Sequence, residues 1–161
     1  MIAALKSRYL DASKLAERLE PAALLLARVV LAYPFWSSGL AKVRTLTLFE
    51  IGGFRLRLPT PIIEGSTYQL FAYEFFEGLP RWFTNTLATM SAIGELTLPV
   101  LVTLGLLTRF GAAGILAMTL VIQLFVYPEE WWAVHSWWAT IALVLIVRGA
   151  GAWSLDRRLG L

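Results

Sequence analysis

The sequence predicts an all-α integral membrane protein: a four-transmembrane-helix bundle with an extended outer loop that carries a short β-hairpin and an amphipathic helix. Three observations lead there. Of the 161 residues, 58% are apolar and 16% charged, against about 25% charged in soluble domains, so a water-soluble fold of this length has no interior large enough for its apolar side chains. Four segments, residues 22–40, 82–107, 110–127 and 131–147, approach the roughly 20 apolar residues that cross a bilayer. Seven Trp, nine Phe and five Tyr suit the interfaces where a ring meets head groups. Residues 1–161 read as a single membrane domain.

The segment before Pro21 has a weak amphipathic pattern and reads as a cytoplasmic interfacial helix. The first span follows. Its end, Gly39-Leu40-Ala41, has the small residues of a signal-peptide cleavage site, but the apolar stretch exceeds a signal core and Arg28 interrupts it. The reading kept is a retained helix.

The outer loop, residues 41–81, has its own order. Leu46 to Ile51, Gly52-Gly53 and Phe54 to Leu58 predict a hairpin, because paired glycines accept the positive φ of a two-residue turn and Phe54, Leu56 and Leu58 alternate with Arg55 and Arg57. Pro59 and Pro61 are expected to end it. From Ser66 onward, Tyr68, Phe71, Ala72, Phe75 and Phe76 share one helical face, which predicts an amphipathic helix lying at the outer surface or capping the bundle. Thr108-Arg109 alone separates the second and third spans, and Pro128-Glu129-Glu130 separates the third and fourth, so both connections are tight.

An even number of spans puts both termini on one side. Lys6, Arg8, Lys14, Arg18, Arg109, Arg148, Arg157 and Arg158 fall on that side, while Lys42, Arg44, Arg55, Arg57 and Arg81 fall on the other. The positive-inside rule then makes the termini cytoplasmic in a bacterial-type inner membrane. The net charge of +3 is spread over flanks and loops with no basic face, so no nucleic-acid partner is expected. Absence of cysteine excludes disulfides, thiolate metal sites, iron–sulfur clusters and thiol relays within the chain. A single His excludes bis-His haem ligation, and no paired-His or His-x-x-Glu spacing supports a metal site. No structural metal is expected.

Ionisable groups inside spans are costly and usually face the bundle interior, so Arg28, Glu95 and His135, with Lys42 at a span end and Gln123 as a neutral companion, are the candidate ligand-binding residues. Measured from the inner span ends, Arg28 stands roughly 9 Å and Glu95 roughly 18 Å deep, which puts an Arg28–Glu95 ion pair within reach. A second reading makes Glu95 a proton-handling carboxylate; the two are compatible. Gln123, His135 and Lys42 end three spans at similar outer depth, roughly 6 Å below the boundary for the first two. They are expected to face one another beneath Tyr127, Trp131, Trp132, Trp137 and Trp138, where a flat amphiphilic head group fits. The plain alternative is that His135 bonds a carbonyl at the interface and the Trp residues are interfacial anchors. Ala88, Ser91 and Gly94 in the second span and Gly111, Ala113, Gly114 and Ala117 in the third predict close helix approach. Pro99 is expected to kink the second span and free the carbonyl of Glu95.

Several stretches resemble the DoxX family of small membrane proteins: Phe35-Trp36-Ser37-Ser38-Gly39-Leu40-Ala41-Lys42; Gly94-Glu95-Leu96 with Leu98-Pro99-Val100-Leu101 and Leu104-Gly105-Leu106-Leu107-Thr108-Arg109; and Arg148-Gly149-Ala150-Gly151-Ala152-Trp153-Ser154-Leu155-Asp156-Arg157. The resemblance runs from Leu26 onward and implies a four-helix membrane bundle. It implies, more loosely, association with quinone-linked oxidoreduction, with quinone as the cofactor, and it marks Lys42, Glu95, Arg109 and Asp156 as matching positions without a catalytic role for any. The long outer loop is outside the typical pattern.

Three functions compete on this footing. The first is a redox-associated membrane subunit that receives a quinone head group while another polypeptide supplies electrons. The second is a non-catalytic partner or assembly factor that docks a membrane or periplasmic complex through its outer loop. The third is a solute or metal-stress transporter module, which Glu95 permits and the lack of Met or Cys clusters disfavours for soft metals. The sequence assigns no catalytic residue and no reaction.

Overall fold

The computed structural model of the chain describes residues 2–52 and 54–161. Helix α1 (Ile2–Lys42) leads directly into strands β1 (Val43–Ile51) and β2 (Phe54–Ile63). A short α2 (Gly65–Leu70) continues into a π-helical turn, Phe71–Phe75. Three long elements follow: α3 (Arg81–Leu104), α4 (Thr108–Phe125), and a 3₁₀ and π-helical start (Pro128–His135) that runs into α5 (Ser136–Arg148). A last short helix, α6, spans Leu155–Leu159. Among the described residues, four helical stretches are long and apolar enough to cross a membrane: Glu17–Lys42, Arg81–Leu104, Thr108–Phe125 and Pro128–Arg148.

The spans pack around Leu24, Leu31 and Phe35 of α1, Val102 of α3, Ala112 and Ile115 of α4, and Ala142 and Leu145 of α5. Lipid tails are as apolar as these side chains, so close van der Waals fit has to hold the helices together. Gly111 and Gly114 provide it between α4 and α3: a Cβ at Gly114 meets Leu98 at 2.7 Å, and one at Gly111 meets Val102 at 2.9 Å. Gly39 brings α1 against the backbone of Glu95 and against Leu96.

Three local expectations are corrected, and the amphipathic helix takes one of its two expected places. The N-terminal segment is not a separate interfacial helix, because α1 continues through Pro21. The prolines at 59 and 61 do not end the hairpin: β2 runs to Ile63, with Pro59 opposite Thr45 in a ladder that carries bulges. A two-stranded ribbon has open edges on which a missing N–H costs nothing. The turn between α3 and α4 is Gly105-Leu106-Leu107, three residues before the expected Thr108-Arg109. Gly105 takes φ +68° and the amide of Leu106 bonds the carbonyl of Leu101 at 2.9 Å, a Schellman stop that the apolar Leu106-Leu107 conceals. The amphipathic helix is short and half π-helical, and it caps the bundle with Phe71 and Ala72 buried. Gly52 has the expected positive φ of 58°; Gly53, its partner in the predicted turn, lies outside the described residues.

The helix ends are not level. Gly39 packs against Glu95, which stands about 21 Å along α3 from Arg81. Helix α1 therefore stops far below the hairpin-side end of α3, and the α2 segment fills the space it leaves.

Candidate functional site

Lys42 is the last residue of α1, with Ser38 one turn before it. Glu95 and Ser91 are one turn apart on the facing side of α3. The Lys42 ammonium donates to Glu95 Oε2 at 2.6 Å and to Ser38 Oγ at 2.8 Å, and the Ser91 hydroxyl donates to Glu95 Oε1 at 2.8 Å. Glu95 is 3% exposed. Both carboxylate oxygens thus hold a donor, which a charge this deep requires. The carbonyl of Lys42 is also used: it accepts from the amide of Glu64 at 2.9 Å and the hydroxyl of Thr67 at 3.0 Å, tying the start of the α2 segment to the end of α1.

Beside this ion pair lies a cavity of about 750 Å³. Its floor is Ser38, Lys42, Ser91 and Glu95. Apolar residues of α3 and α4 form its walls, among them Met90, Leu98, Met118 and Val121, and Phe71, Phe75 and Phe76 roof it. The roof rests on the end of α4 and the turn after it through ring contacts, Phe76 to Phe125 at 6.3 Å and Phe75 to Tyr127 at 6.2 Å between centroids. The volume falls within the roughly 300–1,000 Å³ of small-molecule sites, and a few converging polar groups in an apolar wall are their usual composition.

The expected group of His135, Gln123 and Lys42 is divided. His135 Nδ1 meets Gln123 Oε1 at 2.7 Å, and Gln123 Nε2 donates to the carbonyl of Pro128 at 2.6 Å. With the Gln123 amide committed in this way, its oxygen faces the ring and Nδ1 carries the hydrogen. His135 is 2% exposed, packs on Trp138, and with Gln123 fastens the π-helical start of the last span to α4. Neither residue lines the cavity. Lys42 turns away from them towards Glu95, because its helix ends lower than theirs.

The expected Arg28–Glu95 pair is not formed either. Arg28, 1% exposed, sits at the termini end of the bundle, where its guanidinium donates to the carbonyls of Thr103 at 3.0 Å and Trp153 at 2.5 Å. A polar clamp closes around it. Ser154 accepts from the amide of Arg157 at 3.2 Å and donates to the carbonyl of Gly151 at 2.6 Å. The Asp156 carboxylate accepts from the amides of Leu107 at 2.6 Å and Thr108 at 3.0 Å, so the tail caps the N-terminus of α4. Burial pushes the Asp156 carboxyl up, but the hydrogen bonds from Thr108 and Leu107, together with the Arg28 charge, outweigh it and hold the group below its ordinary value. Leu107, the one non-glycine residue at positive φ among those described (48°), is held there by this bond. Arg109 is exposed and near Gly149.

The DoxX family model matches residues 23–128. The chain belongs to the DoxX family. No curated protein and no solved structure gives a match. The DoxX region takes in Lys42, Ser91, Glu95 and the whole cavity, whereas Asp156 and the rest of the tail lie beyond it. Of the residues that build the floor, Ser38 is legible in the sequence as part of the span end beside Lys42 and Ser91 as a small residue on the stripe of Glu95; their spacing of four from Lys42 and Glu95 is what brings them to the ion pair.

Proposed function

We propose that this DoxX protein is a membrane subunit of a quinone-linked oxidoreduction system, and that its cavity holds the quinone head group while another polypeptide supplies the electrons. The observation that carries the reading is the Lys42–Glu95 ion pair, with the carboxylate buried, flooring an apolar cavity of about 750 Å³. Carbonyl oxygens on a flat ring need donors at one end and apolar walls around the rest, and the third N–H of Lys42 and the hydroxyl of Ser38 supply them, the Ser91 hydroxyl being committed to Glu95. When bound, a quinone accepts electrons; the residues of this chain orient its head, exclude water and keep a titratable carboxylate within one hydrogen bond of the donors. His135, Gln123 and Arg28 serve as helix fasteners here rather than as ligand contacts.

The test is mass spectrometry of the lipids that co-purify with the detergent-extracted protein. Quinone is expected with the parent and lost from the Lys42→Met/Glu95→Leu double variant, which keeps a neutral floor of similar volume. Quinone absent from the parent, or retained undiminished by the double variant, defeats the reading. Both termini are proposed to be cytoplasmic in a bacterial-type inner membrane, supported by the distribution of basic residues; a reporter fused after Leu161 should be active only in the cytoplasm.

One observation favours a second reading, in which the hairpin docks a membrane or periplasmic polypeptide. Leu46, Leu48, Ile51 and Leu58 are exposed on a ribbon that projects from the bundle, and exposed apolar patches mark interaction sites. A photocrosslinker at Ile51 should then give one defined adduct in the native membrane, and only lipid adducts would defeat it.

A further inference from the structure

We infer that the cavity is loaded sideways from the bilayer, through the cleft between α3 and α4, and that its ligand is a single-chain amphiphile whose tail lies in that cleft; this rests on the head-group reading above. The argument begins with how the two helices separate. Towards the termini end, Gly111 and Gly114 press α4 onto Val102 and Leu98 with no room for a Cβ. Past Gly94 the packing changes: a Cβ there meets the flexible Met118 side chain, with its sulfur at 3.1 Å, and beyond it the cavity separates the helices.

The lining residues at the edge of that opening are Met90 on α3 and Ala117 and Val121 on α4, all exposed. Their depth decides what they are exposed to. Met90 stands about 14 Å inside the end of α3 marked by Arg81, and Val121 and Ala117 stand about 6 and 12 Å inside the end of α4 marked by Phe125. An opening at that depth faces acyl chains in a hydrocarbon core about 30 Å thick.

Of the other sides, the one where α1 meets the α2 segment also has exposed lining residues, Ala41 and Ser66. Phe71, Phe75 and Phe76 cover the hairpin side and rest on Tyr127 and Phe125. The floor is sealed by the ion pair and by Gly39 against α3. A water-soluble solute would need a wet route, whereas the mouth between α3 and α4 is apolar at both rims. Polar floor, apolar walls and a lipid-level mouth therefore select a molecule with a hydrogen-bonding head and one narrow chain. A cavity of about 750 Å³ is of small-molecule size, which suits a head group with one chain better than a two-chain lipid.

The experiment uses the full chain in nanodiscs with two photoreactive quinones, one bearing a diazirine on the ring and the other bearing it on the fourth carbon of an alkyl tail. Ring labelling is expected on the Lys42 and Ser91 peptides, and tail labelling on the Met90, Ala117 and Val121 peptides. Ala117→Trp, a change at an exposed position that leaves the ion pair intact, should lower both by roughly tenfold without lowering thermal stability. Ring labelling at the floor with tail labelling on Phe71–Phe76 or the hairpin overturns sideways loading and leaves the head-group reading standing. Undiminished labelling in Ala117→Trp, with the tail elsewhere than the cleft, does the same. No site-specific labelling by either probe removes the head-group reading, and this inference with it.

Discussion

Helix α1 buries two cations against α3, and they meet opposite fates. Arg28 is surrounded by filled space: its two terminal nitrogens donate to the carbonyls of Thr103 and Trp153 while its buried Nε has no partner among the described residues, and Gly105 and Ser154 pack so closely that a Cβ at Gly105 falls 2.6 Å from the Ser154 side chain. Lys42 meets the Glu95 carboxylate and Ser38, with Ser91 on the other carboxylate oxygen, and the space beside them is a cavity. An ionisable residue at membrane depth therefore marks a polar site without saying what the site is for. Whether the surrounding volume is filled separates a fastener from a binding place.

The sharpest break of this comparison is at Glu95. Glu95→Ala removes the counter-charge of Lys42 and leaves an ammonium buried, a loss of about 3–5 kcal/mol. Thermal unfolding in mild detergent should fall steeply for the single variant. It should recover most of the way in Lys42→Met/Glu95→Leu, because an apolar pair of similar volume avoids the desolvation cost. A double variant as unstable as the single one means the pair is not what holds α1 to α3 at this level.

A smaller effect sharpens the contrast between filled and open space. Gly105→Ala puts a Cβ on a residue at φ +68° and into the Arg28 and Ser154 side chains, so it should cost of order 1–3 kcal/mol. Gly94→Ala has ordinary φ and meets the end of one flexible methionine; it should be nearly neutral in stability while narrowing the cleft. Equal losses at the two glycines would erase the distinction on which the site is chosen.

The sequence made the spans and the hairpin legible because both rest on local pattern: apolar runs of membrane length, and alternation around paired glycines. The pairings were less legible. Depth counted along each helix from its own end assumes that the ends are level, and α1 ends about 16 Å short of α3. That stagger moves Lys42 down to Glu95, away from His135 and Gln123, and leaves Arg28 level with the α3–α4 turn. The resemblance marks Asp156, but where the tail docks was hidden for another reason. Ser154 and Asp156 act through backbone amides of residues about fifty positions earlier in the case of Asp156, and no periodicity reports where a short tail docks.

The smallest predicted effect concerns that tail. Asp156 holds two amides at the start of α4 and steadies Leu107 in a left-handed conformation. Asp156→Asn keeps the shape but loses the charge and one acceptor oxygen, which at a helix N-terminus is worth about 1 kcal/mol. The sign of the pH dependence follows from the carboxyl lying below its ordinary value. A depressed folded-state pKa stabilises the protein fully above the unfolded value of about 3.9, and that contribution is lost as pH falls through the lower folded-state value. Between pH 5 and neutrality, then, the clamp should not respond to pH at all, while below about pH 4 the parent should lose protection of the Leu107 and Thr108 amides. Hydrogen exchange at these two amides is the measurement. Asp156→Asn should exchange faster than the parent at neutral pH, and its rate relative to the intrinsic one should stay flat as pH falls. If the parent's protection instead declines between pH 7 and 5, a different group governs the docking of the tail, and the Asp156 cap is not what closes this end of the bundle.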